Sequence, residues 1–104
     1  MLDIAKFAKK PELIKIELDA PEIVEKYEGT VTFYVLDSID IATYFEFYKS
    51  QADNDGKRLN DILRKLILNA EGKQVIEEGH MLPVDLALAS LSKIGEQLGK
   101  SGTK

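Results

Sequence analysis

The chain has no cysteine, one histidine and three prolines in its 104 residues. Without cysteine there is no disulfide framework, no thiol nucleophile and no cysteine-built zinc site, a usage that fits a reducing cytoplasm. The lone histidine, His80, stands near Glu77 and Glu78. That trio lacks any recognised metal-ligand spacing, and an ordinary loop position explains it better. No apolar run approaches the roughly 18 residues of a membrane span. Met1 to Lys10 is charged throughout and lacks the apolar stretch of a secretory signal.

What is present suits one globular domain. Apolar residues make up 44% and charged residues 31%, which suggests neither disorder nor a fibrous class. A chain of this length buries roughly two-thirds of the surface its unfolded form exposes. The expectation is a single domain over 1–104, with a short flexible tail from about Lys100. The formal net charge of -4 argues against a protein whose main task is neutralising phosphates. Glu17, Asp19, Glu22, Glu25 and Glu28 crowd one segment, whereas Lys6, Lys9, Lys10 and Lys15 dominate the start. Such asymmetry can steer head-to-tail contacts between copies, although a solvated mixed surface is the simpler reading.

Ile4, Phe7 and Ala8 fall at helical spacing until Pro11 ends the turn. Leu13 to Leu18 alternates, with Ile14, Ile16 and Leu18 on one face, as a half-buried strand does. Asp19 is placed to cap a short helix containing Pro21, with Ile23, Val24 and Tyr27 inward and Glu28-Gly29 closing it. Thr30 to Leu36 is a second strand, with Val31, Phe33 and Val35 facing one way, and the simplest sheet pairs the two.

Asp37 reads as the cap of a helix starting near Ser38, its core side formed by Ile41, Tyr44, Phe45 and Tyr48. After the polar stretch Gln51 to Gly56, a regular stripe of Leu59, Ile62, Leu63, Leu66, Ile67 and Ala70 predicts another helix. Glu71-Gly72 is a turn, and Lys73 to Ile76 can add a short extended segment. Pro83 opens a last helix lined by Val84, Ala87, Leu88, Leu91, Ile94 and Leu98, with Gly99 as its C-cap. The fold class is therefore α+β: a small antiparallel sheet of two or three strands packed with three main helices.

Catalytic signatures are missing. Aligning Asp53-Asn54-Asp55-Gly56 as a calcium loop puts Ile62 where a bidentate glutamate is required, so a turn and helix cap explain it. Ser38, Ser90 and Ser92 have no histidine nearby in sequence. Gly95 and Gly99 do not form a phosphate loop. Apolar residues off the expected stripes are more telling. Phe47, Leu68 and Leu86 are expected to be partly exposed and, if clustered, to form a protein-binding surface; singly they need no explanation.

The order PEIVEKYEG (Pro21–Gly29), VTFYV (Val31–Val35), a helical middle, EGKQV (Glu71–Val75), LPVDL (Leu82–Leu86) and KIGEQLGK (Lys93–Lys100) resembles the tail assembly chaperones of long-tailed phages. The likeness covers nearly the whole chain. It implies a non-catalytic protein without cofactor or metal. Such a protein binds and solubilises the tape measure protein as a homo-oligomer in the host cytoplasm and is absent from the mature virion. Related genes also yield a longer product through a ribosomal frameshift, and that product recruits tail tube subunits. Gly99-Lys100, four residues from the end, looks like such a slippage point. If exposed apolar residues of several copies cover apolar stripes on that client, the expected contacts are Phe47, Leu68, Met81 and Leu86.

Other readings stand beside this one. A non-catalytic oligomeric adaptor or structural protein of the phage particle would share the surface but remain in the virion. A nucleic-acid-binding regulator fits poorly with the acidic balance and the missing basic aromatic patch. A hydrolase would need a serine and His80 to meet in space.

Overall fold

The computed structural model describes residues 2–8 and 10–102, the last four of them by backbone alone. Its frame is the antiparallel pair β1 (Leu13–Leu18) and β2 (Val31–Leu36), registered Leu13 opposite Leu36 through Leu18 opposite Val31. Alternation sets this register. Ile16, Leu18, Phe33 and Val35 turn inward together, and a slip of one residue would expose them all. Before β1, Ile4–Lys6 forms a single 3₁₀ turn, capped by Asp3, that buries none of its residues.

Between the strands lies α1 (Pro21–Tyr27), which places Ile23 in the core and Val24 and Tyr27 half-buried beside it. Asp19 does not cap it. The N-cap is Ala20, whose carbonyl accepts from Ile23 and Val24, while Pro21 occupies a position where a missing N–H costs nothing. At the other end Glu28, one residue before the expected glycine, takes the left-handed conformation.

The helix α2 (Ile41–Ala52) begins three residues later than expected. Its cap is Asp40, which accepts from Thr43 N–H at 3.2 Å and from Thr43 Oγ1 at 2.7 Å. Asp37 is used elsewhere: its carboxylate accepts from Glu12 N–H at 3.0 Å, and its own N–H donates to Glu12 O at 2.8 Å. These bonds hold the open end of the β1–β2 pair.

Asp55 caps α3 (Gly56–Leu66), accepting from Arg58 N–H at 3.2 Å, so the acidic loop is a turn and cap as expected. Ile62, Leu63 and Leu66 fill the core. The chain then leaves the helix extended, and Leu68 bridges to Tyr34, exchanging N–H···O bonds of 2.9 and 2.8 Å, and to Gln74 on its other side. The sheet thus gains a rudimentary third position and an extended contact at the segment expected after Gly72. The helix α4 (Val84–Gly102) runs through Gly99 and Lys100 to Gly102, so Gly99 is not its C-cap and the tail does not begin at 100; residues 103–104 lie outside the described ones. Among the described residues no helix is long and apolar enough to cross a membrane.

One core joins both strands to all four helices. At the N-terminus of α4, Asp85 gathers α1: Tyr27 donates its hydroxyl at 2.9 Å and Lys26 its ammonium at 3.0 Å. These bonds hold the Asp85 carboxyl below its ordinary range, with the Lys26 bond as the leading cause, and hold the Lys26 ammonium above its own.

Candidate protein-binding surface

Helix α2 turns most of its expected core stripe toward water, and α4 does so only at Val84 and Leu88. On α2 the buried residues are Thr43, Phe47 and Ser50, a small–large–small series at i, i+4 and i+7. Small hydroxyl side chains let the helix approach the core closely, and the Asp40 bond satisfies the Thr43 hydroxyl. The opposite side pays no such packing role: Ile41 is 70%, Phe45 61% and Tyr48 37% exposed, with Tyr44 half-buried between. The expectation that Ile41, Phe45 and Tyr48 belong to the core side is therefore corrected, while Tyr44 packs half-buried against the core as expected.

These outward rings are ordered against one another. Tyr44 meets Phe45 edge-on at 5.8 Å between centroids and Tyr48 at 5.0 Å, and Tyr48 in turn meets the buried Phe47 at 5.1 Å. A ladder of aromatic contacts thus runs from solvent into the core and limits how far the exposed rings can move. Beside Phe45 a shallow trough lined by Asp40, Glu46, Lys49, Arg58 and Lys65 supplies both charge signs. Lys49 pairs with Asp53 at 3.3 Å and Arg58 with Asp55 at 3.8 Å. The Asp40 carboxyl is held below its ordinary range, chiefly by the Thr43 hydroxyl. The arrangement is an apolar ridge with a mixed-charge margin, suited to lie against an amphipathic partner.

On α4 the core face is Leu86, Ser90, Ile94 and Leu98, while Val84 and Leu88 point outward. With Met81, Leu59, Leu63 and Leu91 they line an open groove of about 450 Å³ against α3. This second apolar surface is separate in composition from the α2 ridge.

Of the four expected partner contacts, Met81 alone is exposed. Phe47, Leu68 and Leu86 are buried, and each for a stated reason: Phe47 is the large member of the α2 core face, Leu68 lies beyond α3 in a sheet bridge, and Leu86 begins the α4 core face. The sequence pattern assigns Ile41, Phe45 and Tyr48 to the core because their stripe is the more apolar, and so misses them as surface residues. His80 lies on an exposed turn, its N–H bonded to Glu77 O at 2.9 Å. Ser90 is sealed in the core, whereas Ser38 and Ser92 are exposed. Among the described residues no three His, Cys, Asp or Glu side chains are grouped to hold a metal ion.

Compared with models of known families, with curated proteins and with solved structures, the chain matches none. Among the described residues the fold is a small α+β unit with a two-stranded antiparallel sheet and four α-helices.

Proposed function

We propose that this chain is a tail assembly chaperone of the long-tailed-phage type, which covers apolar stripes on the tape measure protein and keeps that long helical protein soluble. One observation carries the reading: α2 holds Ile41, Phe45 and Tyr48 in water on an ordered aromatic ridge. Covering what is exposed of Ile41 or Phe45 releases roughly 1–2 kcal/mol of gross transfer free energy each, before the cost of association. Contacts of that size are weak in one copy and effective when several copies line one client. The client is identified from the resemblance of the segment order to the phage chaperones.

In this reading the chain works in the host cytoplasm without cofactor or catalytic step and is absent from the finished particle. A longer frameshifted product, carrying an extension after about Gly99-Lys100, recruits the tail tube protein. Of the contact set expected from the sequence, Met81 is kept as exposed, and Ile41, Phe45 and Tyr48 take the place of the buried Phe47, Leu68 and Leu86.

Co-expression with the tape measure protein of the same phage tests this. The wild-type chain is expected to raise its soluble yield and co-purify with it. The double variant Ile41→Glu/Phe45→Glu is expected to keep its circular dichroism and melting temperature and lose the client. Capture unaffected by the charges removes α2 as the surface. No capture by the wild type removes the chaperone reading, and stoichiometric presence in virions replaces it with a structural adaptor.

A further inference from the structure

The solvent side of α2 is more regular than a scatter of apolar residues. Ile41, Phe45, Tyr48 and Ala52 are all exposed, and they follow one another at intervals of four, three and four residues. That alternation is the a/d seam of a helix that packs lengthwise against another helix. In the same lettering the buried Thr43, Phe47 and Ser50 fall at positions f, c and f, on the far side of the cylinder. The helix is thus two-faced: its c and f residues fill the protein's own core, and its a and d residues remain in water.

The relief beside the seam suits such packing. Ala42 and Ala52 are small where Phe45 and Tyr48 are large, and the trough beside Phe45, about 480 Å³, has Ala42 in its lining. Side chains of a facing helix enter recesses of this kind between larger neighbours. Tyr44 holds both rings, Phe45 at 5.8 Å and Tyr48 at 5.0 Å between centroids, so little of their freedom is left to lose on contact. Area then decides between two occupants. The exposed parts of Ile41, Phe45 and Tyr48 amount to roughly 300–400 Å². A standard interface takes about 800 Å² from each partner, so two copies joined through α2 alone fall well short of a stable dimer. A long helix whose apolar stripe recurs over many turns takes one copy after another, and the weak contacts act together.

We infer that α2 receives a single amphipathic α-helix of another protein, laid lengthwise along this seam with its axis about 20° from that of α2. The apolar residues of that helix recur at alternating intervals of three and four. Each copy covers about 16 Å of it, the distance from Ile41 to Ala52 at 1.5 Å per residue. The contact rests on the chaperone reading for its long helical client and adds a direction and a repeat.

The probe is a synthetic peptide stapled into a helix, with leucine at every a and d position; its isomer has the same composition with the leucines spread around the helix. Fluorescence anisotropy with the full chain is expected to show the striped peptide bound at least about tenfold more tightly than the isomer. Phe45→Glu, at an exposed residue and with an unchanged thermal melt, is expected to remove that preference. Direction is read by disulfide trapping, which the absence of native cysteine permits. The double variant Ile41→Cys/Ala52→Cys is oxidised with a striped peptide carrying two cysteines at the same separation. A lengthwise partner is expected to give a doubly linked one-to-one adduct by mass spectrometry, whichever way it runs, and a steeply crossing one only single links. Equal binding of the isomer, single links alone, or a wild type that ignores both peptides and pairs with itself through α2 would each overturn the inference. Because the probe is not the tape measure protein, failure to capture that client removes the chaperone reading and leaves a preference for the striped peptide standing. Capture of the client without that preference does the reverse.

Discussion

Phe45 and Phe47 stand two residues apart on α2 and on opposite sides of it: Phe45 keeps 61% of its surface in water and Phe47 keeps none. Their truncations should separate cleanly. Phe47→Ala is expected to cost about 3–5 kcal/mol of stability through lost burial and a residual cavity. Phe45→Ala should stay within about 0.5 kcal/mol of wild type and instead weaken any partner that uses the ridge. Urea denaturation of both variants measures this, and equal losses would contradict the observed facing of α2.

That facing was the hardest feature to read from the chain. Alternation in Ile14, Ile16, Leu18 and in Val31, Phe33, Val35 made the two strands and their inward faces legible, because a strand offers two faces and one is plainly apolar. The helix α3 was legible for a similar reason, since its stripe is opposed by Asn60, Asp61, Arg64 and Lys65, but it ends at Leu66, so Ile67 and Ala70 of the expected stripe lie beyond it. On α2 two stripes compete, and periodicity says which residues share a side without saying which side faces in. Close packing chose Thr43, Phe47 and Ser50 over the more apolar alternative. The same ambiguity displaced the α4 core face onto Leu86 and Ser90. Two aspartates within four residues, Asp37 and Asp40, could each cap α2, and the long-range bonds of Asp37 to Glu12 decided between them. Of the expected contacts, Met81 was legible as exposed because it precedes Pro83 in an irregular segment.

The tie from Tyr27 and Lys26 to Asp85 should give the stability a defined pH window. Asp85 has its folded pKa lowered from 3.8, so its contribution is full above that value and is lost as pH falls through the lower folded one. Lys26 has its folded pKa raised from 10.5, so its contribution is full below that value and is lost as pH rises through the higher folded one. Between these limits the tie is constant. Asp85→Asn is expected to lower the melting temperature by a constant amount from roughly pH 5 to 9, with the difference from wild type shrinking in stronger acid. Melts across that range measure it; a difference that persists undiminished in strong acid would show that the carboxylate charge is not involved.

Asp55 gives a simpler test of local structure. Its side chain caps α3 at Arg58 N–H, and its 3.8 Å approach to the Arg58 guanidinium is a surface pair of little weight. Asp55→Ala is expected to cost about 1 kcal/mol and Asp55→Asn much less, since an amide oxygen caps nearly as well. Arg58→Ala should cost less than Asp55→Ala. The reverse order in denaturant midpoints would assign the stabilisation to the ion pair.

Ser50 is the one buried side-chain polar atom without a hydrogen-bond partner among the described residues, and the residue is 1% exposed. A hydroxyl placed there loses water and regains nothing, a penalty of about 1–3 kcal/mol, while alanine fits the same space and favours the helix. Ser50→Ala is therefore expected to raise stability by about 1 kcal/mol. Thr43→Ala, on the same face, removes a hydroxyl bonded to Asp40 at 2.7 Å and is expected to lower it. Opposite signs at two residues one helical stripe apart would show that α2 tolerates polar groups in its core face only where they are bonded. A destabilised Ser50→Ala would mean that an ordered water holds the hydroxyl and that the face is wetter than its packing implies.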